Sequence, residues 1–448
     1  MKRLIASLLC LVICISMLTG CKKEKEKEFQ AGFGKTDISP EVGVSLGSYG
    51  DEATRLVKGV WTPLEAVAIA LTDAKDNTLV LVVTDLSWGH LTYANEIRTE
   101  VYNKYKIPKE NVIVGGTHNH SAPKAGYESN PLNVEYMQNW KKNVISAIDK
   151  AMADRKPATM EIGRTETEDM VFTRRYLCDD GLYMGGGPAK YNTTKSSVIV
   201  DHETEADEEI QMLRFVREDA KDILITQWQS HACNINWDRN QDYHYMASGE
   251  WPQVIRSTLE SELDVHCMYM QGAAGNLACM TRLEDENLYN AESDPNAGTI
   301  GYNDFQAIGE KVASYVIEAY QKEDGFKKVA SGLIQTNQYK MPATLRGGKV
   351  ASVETDKPEL NTVAIGDVSL VTLPSELFDS SAKEVKDATP FEMTLIMGYT
   401  CGTWGYEAPG WAIEHGCYEV ENGRYELGTA DEMIKHYIDT LNELHKTK

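Results

Sequence analysis

TLVLVVTDLSWGHLTYANEIRTEVYNKYKIPKENVIVGGTHNHSAP, residues Thr78–Pro123, holds two apolar runs with a helical pattern between them. Thr78–Thr84 (TLVLVVT) and Asn111–Gly115 are short, β-rich and bounded by turn residues, so each predicts a strand. His90–Tyr105 predicts the helix that joins them, and the whole reads as a βαβ unit. The pattern then repeats. Asn133–Asp154 predicts a long amphipathic helix. Asp222–Trp228 (DILITQW) and Val265–Met270 predict strands flanking a helix at Glu250–Leu263, with Ser248 as its cap and Pro252 early inside. Later strands are expected at Val329–Thr336, Asn361–Ile365, Val368–Leu373 and Met393–Met397, and helices at Asp304–Gln321, Glu376–Ala388 and Ala430–His445. The expected fold class is α/β: a mixed β-sheet core flanked by helices that bury the strands on both faces. Two long irregular segments, Cys178–Glu209 and Leu283–Gly301, are expected to line or cover a site.

The chain has 448 residues, and its formal charge of -22 excludes a nucleic-acid partner, because phosphate binding needs a basic face. At the N-terminus Lys2 and Arg3 precede an apolar stretch, Leu4–Met17, that ends in Leu18-Thr19-Gly20-Cys21. That tetrapeptide resembles a bacterial lipobox, so residues 1–20 are expected to be a lipoprotein signal peptide and Cys21 the lipid anchor. Residues 21–30, with the run KKEKEKE, form a charged tether, and residues 31–448 one catalytic domain. The expected location is the bacterial cell envelope, on a periplasmic or cell-surface face, with the membrane as partner through the lipid. Of nine cysteines, six lie beyond Cys21, with no C-x-x-C pair among them, and their pairing stays open.

Two catalytic motifs fail on context. Gly43-Val44-Ser45-Leu46-Gly47 satisfies G-x-S-x-G, but no buried strand precedes the serine and no helix follows it. Gly34-Lys35-Thr36 resembles the end of a phosphate loop, yet Phe29 stands where its first glycine belongs. The acidic run Asp201–Glu209 reads as a solvated loop.

His118-Asn119-His120 admits two readings. Residues i and i+2 of a strand share a side, so both imidazoles can face one ion while Asn119 turns away; equally, a strand end can present polar groups to water. Position favours the first, because ligands in open α/β sheets bind beyond the carboxyl ends of strands. Three other strands run into residues of ligand type: DILITQWQS into His231, VSLVTLPS into Glu376, and TLIMGYTCGTWG into Tyr406. Two imidazoles, a carboxylate and a phenol make a donor set suited to a hydrolytic zinc site with room for water.

Several segments, in order, resemble the catalytic domain of the neutral, non-lysosomal ceramidase family. Ala31–Pro40 (AGFGKTDISP) is similar to the family's opening A-G-x-G-x-x-D-I-T-P, and Thr117–Pro123 (THNHSAP) to its T-H-T-H-S-G-P. Ser230-His231-Ala232 falls at the second zinc histidine, and Pro374–Phe378 (PSELF) at the zinc glutamate. Tyr406 and Tyr418, with Tyr418-Glu419-Val420 closing the segment, match a pair of tyrosines of which the first binds zinc. The resemblance implies Zn2+ held by His118, His231, Glu376 and Tyr406, with His120, Arg174 and Tyr418 as catalytic contacts to the scissile group. Arg175 is the neighbouring alternative to Arg174. The implied chemistry is attack by metal-activated water, with His120 carrying the proton and Arg174 and Tyr418 stabilising the oxyanion.

The departures bear on substrate. Where the family reads approximately Q-x-N-x-G-D-V-S-P, this chain has Gln271–Cys279 (QGAAGNLAC), with Asn276 for the aspartate and Ala278 for a serine implicated in catalysis. The chain is also expected to lack the family's C-terminal immunoglobulin-like domain. The leading expectation is therefore an exported zinc hydrolase that cleaves an N-acyl amide with water. The alternatives are a ceramidase-like esterase or deacylase acting on an acylated carbohydrate, and a non-catalytic surface binding lipoprotein.

Overall fold

The computed structural model describes residues 27–185, 198–233, 242–279, 305–350, 357–402 and 405–448. The leader, Cys21 and the Leu283–Gly301 loop lie outside the described residues. A large sheet contains β1 (Gln30–Asp37), β2 (Glu65–Thr72), β3 (Thr78–Thr84), β4 (Val112–Gly116), β5 (Lys156–Glu166), β6 (Glu209–Arg217), β7 (Ile223–Trp228) and β8 (His266–Gln271), in the order β8-β7-β6-β5-β1-β2-β3-β4. The short β9 (Lys327–Val329) lies against β5. A second sheet runs β10 (Ile334–Lys340), β11 (Glu359–Ile365), β12 (Val368–Thr372), β13 (Met393–Met397). Only β3–β4, β7–β8 and β12–β13 pair in parallel among these strands.

Side-chain alternation shows what covers each face. Leu79, Leu81 and Val83 of β3, Ile113 of β4, Ile225 of β7 and Met268 of β8 share one buried cluster with Val363, Leu370 and Leu395 of the second sheet. The intervening Val80, Val82, Val112 and Val114 face helices α1 (Leu91–Tyr105) and α2 (Pro131–Asp154). Leu224 and Tyr269 face α3 (Glu250–Leu263) and α4 (Phe305–Gln321). The outer face of the second sheet packs Leu360, Val371 and Ile396 against α5 (Asp379–Ala388) and α6 (Thr429–Lys446). The mixed sheets with helices are as expected, but in four layers: each sheet has helices on one face and the other sheet on its second. An apolar strand reports that both faces are covered, and not what covers them.

Three other expectations change. The strand foreseen at Val329–Thr336 breaks at 330–333, and its halves join different sheets as β9 and β10. The helix foreseen from Glu376 begins at Asp379, because Glu376–Leu377 forms a short parallel pair with Tyr406–Glu407. The described parts of Cys178–Glu209 are only partly irregular: Arg175–Cys178, Tyr183–Gly185 and Ile199–His202 form a small three-stranded sheet. Within the acidic run, Glu203 is buried against Arg175, and Asp207 is nearly buried against Lys386, so these carboxylates serve as internal ion-pair partners.

The carboxyl ends of the three parallel pairs are joined directly. Gly398, after β13, donates its N–H to the Gln271 carbonyl at the end of β8 (2.7 Å), and Gly116 of β4 donates to the Tyr399 carbonyl (3.2 Å). A Cβ at Gly398 would lie 2.3 Å from the Gly272 carbonyl oxygen, so glycine permits this approach. Farther from the site, Arg98 of α1 reaches Glu359 of β11 in a buried ion pair at 2.7 Å. No helix among the described residues is long and apolar enough to cross a membrane.

Candidate metal centre

β4 ends at Gly116, so His118 and His120 do not sit on a strand. His118 adopts φ +57°, a conformation that costs a non-glycine residue about 1–2 kcal/mol. The consequence is the one the strand reading anticipated, reached by a turn. Asn119 points away, its amide donating to the Ser248 carbonyl and its oxygen accepting from the Ser121 N–H, while both imidazoles face one place. His231 arrives from the end of β7 and Glu376 from the segment after β12.

One ring nitrogen from each of His118, His120 and His231 lies within 4.8 Å of the other two, a group able to hold a metal ion. His118 Nε2 is 3.0 Å from His231 Nε2 and 3.3 Å from His120 Nε2. Glu376 Oε2 is 3.3 Å from His118 Nε2 and 3.5 Å from His231 Nε2. The other nitrogens fix the tautomers. His231 Nδ1 lies 2.8 Å from the Ala274 carbonyl and His118 Nδ1 lies 3.3 Å from the Ser87 carbonyl, so each Nδ1–H donates outward and each Nε2 carries a lone pair inward. Metal-binding histidines are oriented in this way. Buried Glu376 Oε2 has no hydrogen-bond partner among the described residues. Three acceptors thus converge with no donor among them, which is unfavourable without a cation. Ligand atoms about 2.0–2.1 Å from a tetrahedral ion stand about 3.3 Å apart, and these separations fit that figure.

The remaining predicted residues gather beside this group. Tyr406 pairs with Glu376 across the short parallel bridge. Its hydroxyl accepts from Arg174 Nη2 (3.1 Å), and its ring meets that of Tyr418 edge-on with centroids 5.4 Å apart. Arg174 also donates to the Gly275 carbonyl (2.9 Å) and through Nε to Glu419 (3.0 Å). Arg175 points elsewhere: it is fully buried, bound to Glu203, Glu419 and the Gly416 carbonyl. Of the two neighbouring arginines, only Arg174 reaches Tyr406. Ser45 of the rejected hydrolase motif is buried, its backbone bonded to the Asn133 amide.

Asn276 has a structural partner. Its Nδ2 donates to Asp379 Oδ1 (2.8 Å) while its Oδ1 accepts from the Asp379 N–H (2.9 Å), at the start of α5. An aspartate at 276 would set two carboxylates against each other, so the asparagine follows from Asp379. Ala278 stands opposite Phe172 in a short antiparallel pair.

Burial pushes His231 well below the ordinary histidine value, with Arg174 adding to it, and burial followed by His118 does the same to His120. Burial and then the Glu376 carboxylate hold the Tyr406 phenol well above its usual range. A histidine with a depressed folded value binds fewer protons than in the unfolded chain, so stability rises with pH through that window. Metal-free protein is expected to lose stability as pH falls below about 6.5, by at most about 1.4 kcal/mol per pH unit for each of the two imidazoles. Denaturant midpoints at pH 7.5 and 5.5 check this, and His120→Gln should flatten the slope.

Residues 29–241 match the family model described as neutral/alkaline non-lysosomal ceramidase, N-terminal. Over these residues the chain is similar to that family. The fold is also similar to solved structures across 94% of this chain. One, described as ceramidase complexed with C2, aligns with a TM-score of 0.73 at 16% identity over 76% of its length. Another, neutral ceramidase from Pseudomonas aeruginosa, aligns with a TM-score of 0.71 at 16% identity over 75% of its length. At this identity the likeness shows the fold, mixed sheets with helices.

Sequence reasoning did not single out Tyr399 or Trp88, whose rings enclose His118, nor the role of Glu419 in holding Arg174. For Glu419 a signal existed, since it adjoins Tyr418. For Tyr399 and Trp88, aromatic residues after strands read as core.

Proposed function

We propose that this neutral-ceramidase-like protein is an exported zinc-dependent hydrolase that cleaves an N-acyl amide with water. The observation that carries the reading is the inward-facing set of His118 Nε2, His231 Nε2 and Glu376 Oε2, the last without a hydrogen-bond partner among the described residues. These three, with Tyr406, would hold the metal, and nitrogen and oxygen donors suit zinc. Zinc bound there supplies Lewis acidity and a water of pKa about 7. The chain's own groups do the rest. His120, kept neutral at pH 7 by its burial, accepts the proton released on attack and returns it to the leaving amine. Arg174, held by Glu419, and Tyr418 donate to the oxygen that gains charge. Ala278 offers no hydroxyl, so water is the nucleophile that remains.

The family supports a lipid N-acyl substrate, with an acylated carbohydrate, through amide or ester cleavage, as the rival. The N-terminal signal supports a lipoprotein anchored through Cys21 at the bacterial cell envelope. Ala278 favours a second reading, a surface binding protein without turnover. The test is release of fatty acid or acetate from panels of N-acyl lipids and acylated sugars, with and without chelator. Turnover that disappears on chelation and returns with zinc supports the hydrolase. Stoichiometric zinc with no turnover on either panel favours the binder.

A further inference from the structure

Tyr399 lies two residues past the end of β13, and nothing in the hydrolytic reading assigns it a task. Three observations set it apart from core packing. Its ring lies flat on the His118 imidazole, with centroids 3.9 Å apart and planes inclined by 16°, while the Trp88 indole meets both rings nearly edge-on at 5.5 and 5.1 Å. Its backbone takes φ +55°, the left-handed region that disfavours side chains, and His118 across the stack takes φ +57°. Non-glycine residues are kept in that region only where the surroundings over-determine them, and such strain clusters at functional sites. The surroundings do so here: the Tyr399 carbonyl accepts from Gly89 N–H (2.8 Å) and Gly116 N–H (3.2 Å), which ties the end of the second sheet to the loop after β3 and to the end of β4. Finally, the hydroxyl is buried without a hydrogen-bond partner among the described residues.

We propose that Tyr399 is a positioning residue for the metal centre, acting through His118. Among the described residues His118 has one outward hydrogen bond, to the Ser87 carbonyl at a long 3.3 Å, which on its own leaves the ring free to tilt about that contact. The stacked phenol closes one face of the imidazole and the indole edge limits its swing, so Nε2 is kept toward His231 and Glu376. A preformed ligand loses less freedom on metal binding, and groups that orient metal ligands are typically worth 10–100-fold in affinity. The inference rests on the proposed metal centre, and its test reads metal affinity and not turnover.

Zinc affinity would be measured by competition with a chromophoric chelator for wild type, Tyr399→Phe and Tyr399→Met. Phenylalanine keeps the stacked plane and should stay within about threefold of wild type, whereas methionine fills the volume without a plane and should weaken binding by about tenfold or more. In a His118→Ala background the methionine substitution should have no further effect, because a positioning residue acts only through the ligand it positions; general destabilisation would persist there. Melting of the chelated proteins establishes that each variant folds. If Tyr399→Met does not fold, Trp88→Leu, which removes only the indole edge, should lower affinity severalfold. Native affinity in Tyr399→Met, or in its substitute Trp88→Leu, overturns the proposal, as does a Tyr399→Phe loss equal to that of methionine. Absence of zinc from the wild type would instead overturn the metal centre itself.

Discussion

His118→Ala is expected to lower zinc content from about one equivalent to under a tenth after dialysis, with turnover falling in step. His118 Nε2 stands 3.0–3.3 Å from the nearest donor atoms of His120, His231 and Glu376, so it is the atom the others share. Its loss removes one ligand and leaves His231 and Glu376 with a gap between them. Since even a group that only orients a ligand is worth 10–100-fold, loss of the ligand should exceed about 100-fold in affinity. His120→Ala makes the contrast. If His120 moves a proton and does not hold the ion, that variant keeps its zinc and loses about 10²–10⁴ in kcat. Elemental analysis beside kinetics separates the two histidines. Full zinc in His118→Ala would refute this assignment, and loss of zinc in His120→Ala would make His120 a ligand.

How much of this centre is legible in the sequence depends on how local its cause is. The βαβ unit and the parallel pairs are legible because an apolar run of strand length between turn residues is a local signal, and β3, β4, β7, β8 and β13 fall where such runs lie. β1 (QAGFGKTD) is not apolar enough to be read that way. Glycines 32 and 34 replace its outward side chains because α2 lies on them: a Cβ would come within 2.2 Å of the Ala151 carbonyl oxygen or 2.0 Å of that of Ala147. That is a fact about a helix more than a hundred residues away. The ligand-type residues are legible because strands end before them, yet their convergence is not, since it depends on two sheets being hydrogen-bonded through Gly398 and Gly116. Tyr399 lies at the far limit: only the folded chain brings its ring onto His118. The pair Asn276–Asp379 is similar, a departure from the family pattern that becomes intelligible once its partner is seen.

Arg174 and Arg175 carry the second large prediction, because adjacent side chains of one type should fail in different ways. Arg174→Met is expected to leave the fold and the zinc intact and to lower kcat by about 10²–10³, the usual cost of removing a donor to a developing oxyanion. The fold survives because Glu419, which Arg174 now shares, keeps its contact with Arg175 Nη1 at 3.2 Å, so no buried carboxylate is left without a counter-charge. Arg175→Met has no such relief. Glu203, whose side chain is 1% exposed, loses its guanidinium and retains, among the described residues, only His415 at 2.7 Å, and the Gly416 and Ala412 carbonyls lose their donor. Removing one partner of a buried pair costs about 3–5 kcal/mol, so this variant should show a reduced denaturation midpoint whatever its activity. Urea unfolding and zinc content, measured before kinetics, distinguish the outcomes. An Arg174→Met protein with undiminished kcat would remove that side chain from the chemistry. One as unstable as Arg175→Met would show that Glu419 needs both arginines, and Arg174 would then be part of the scaffold.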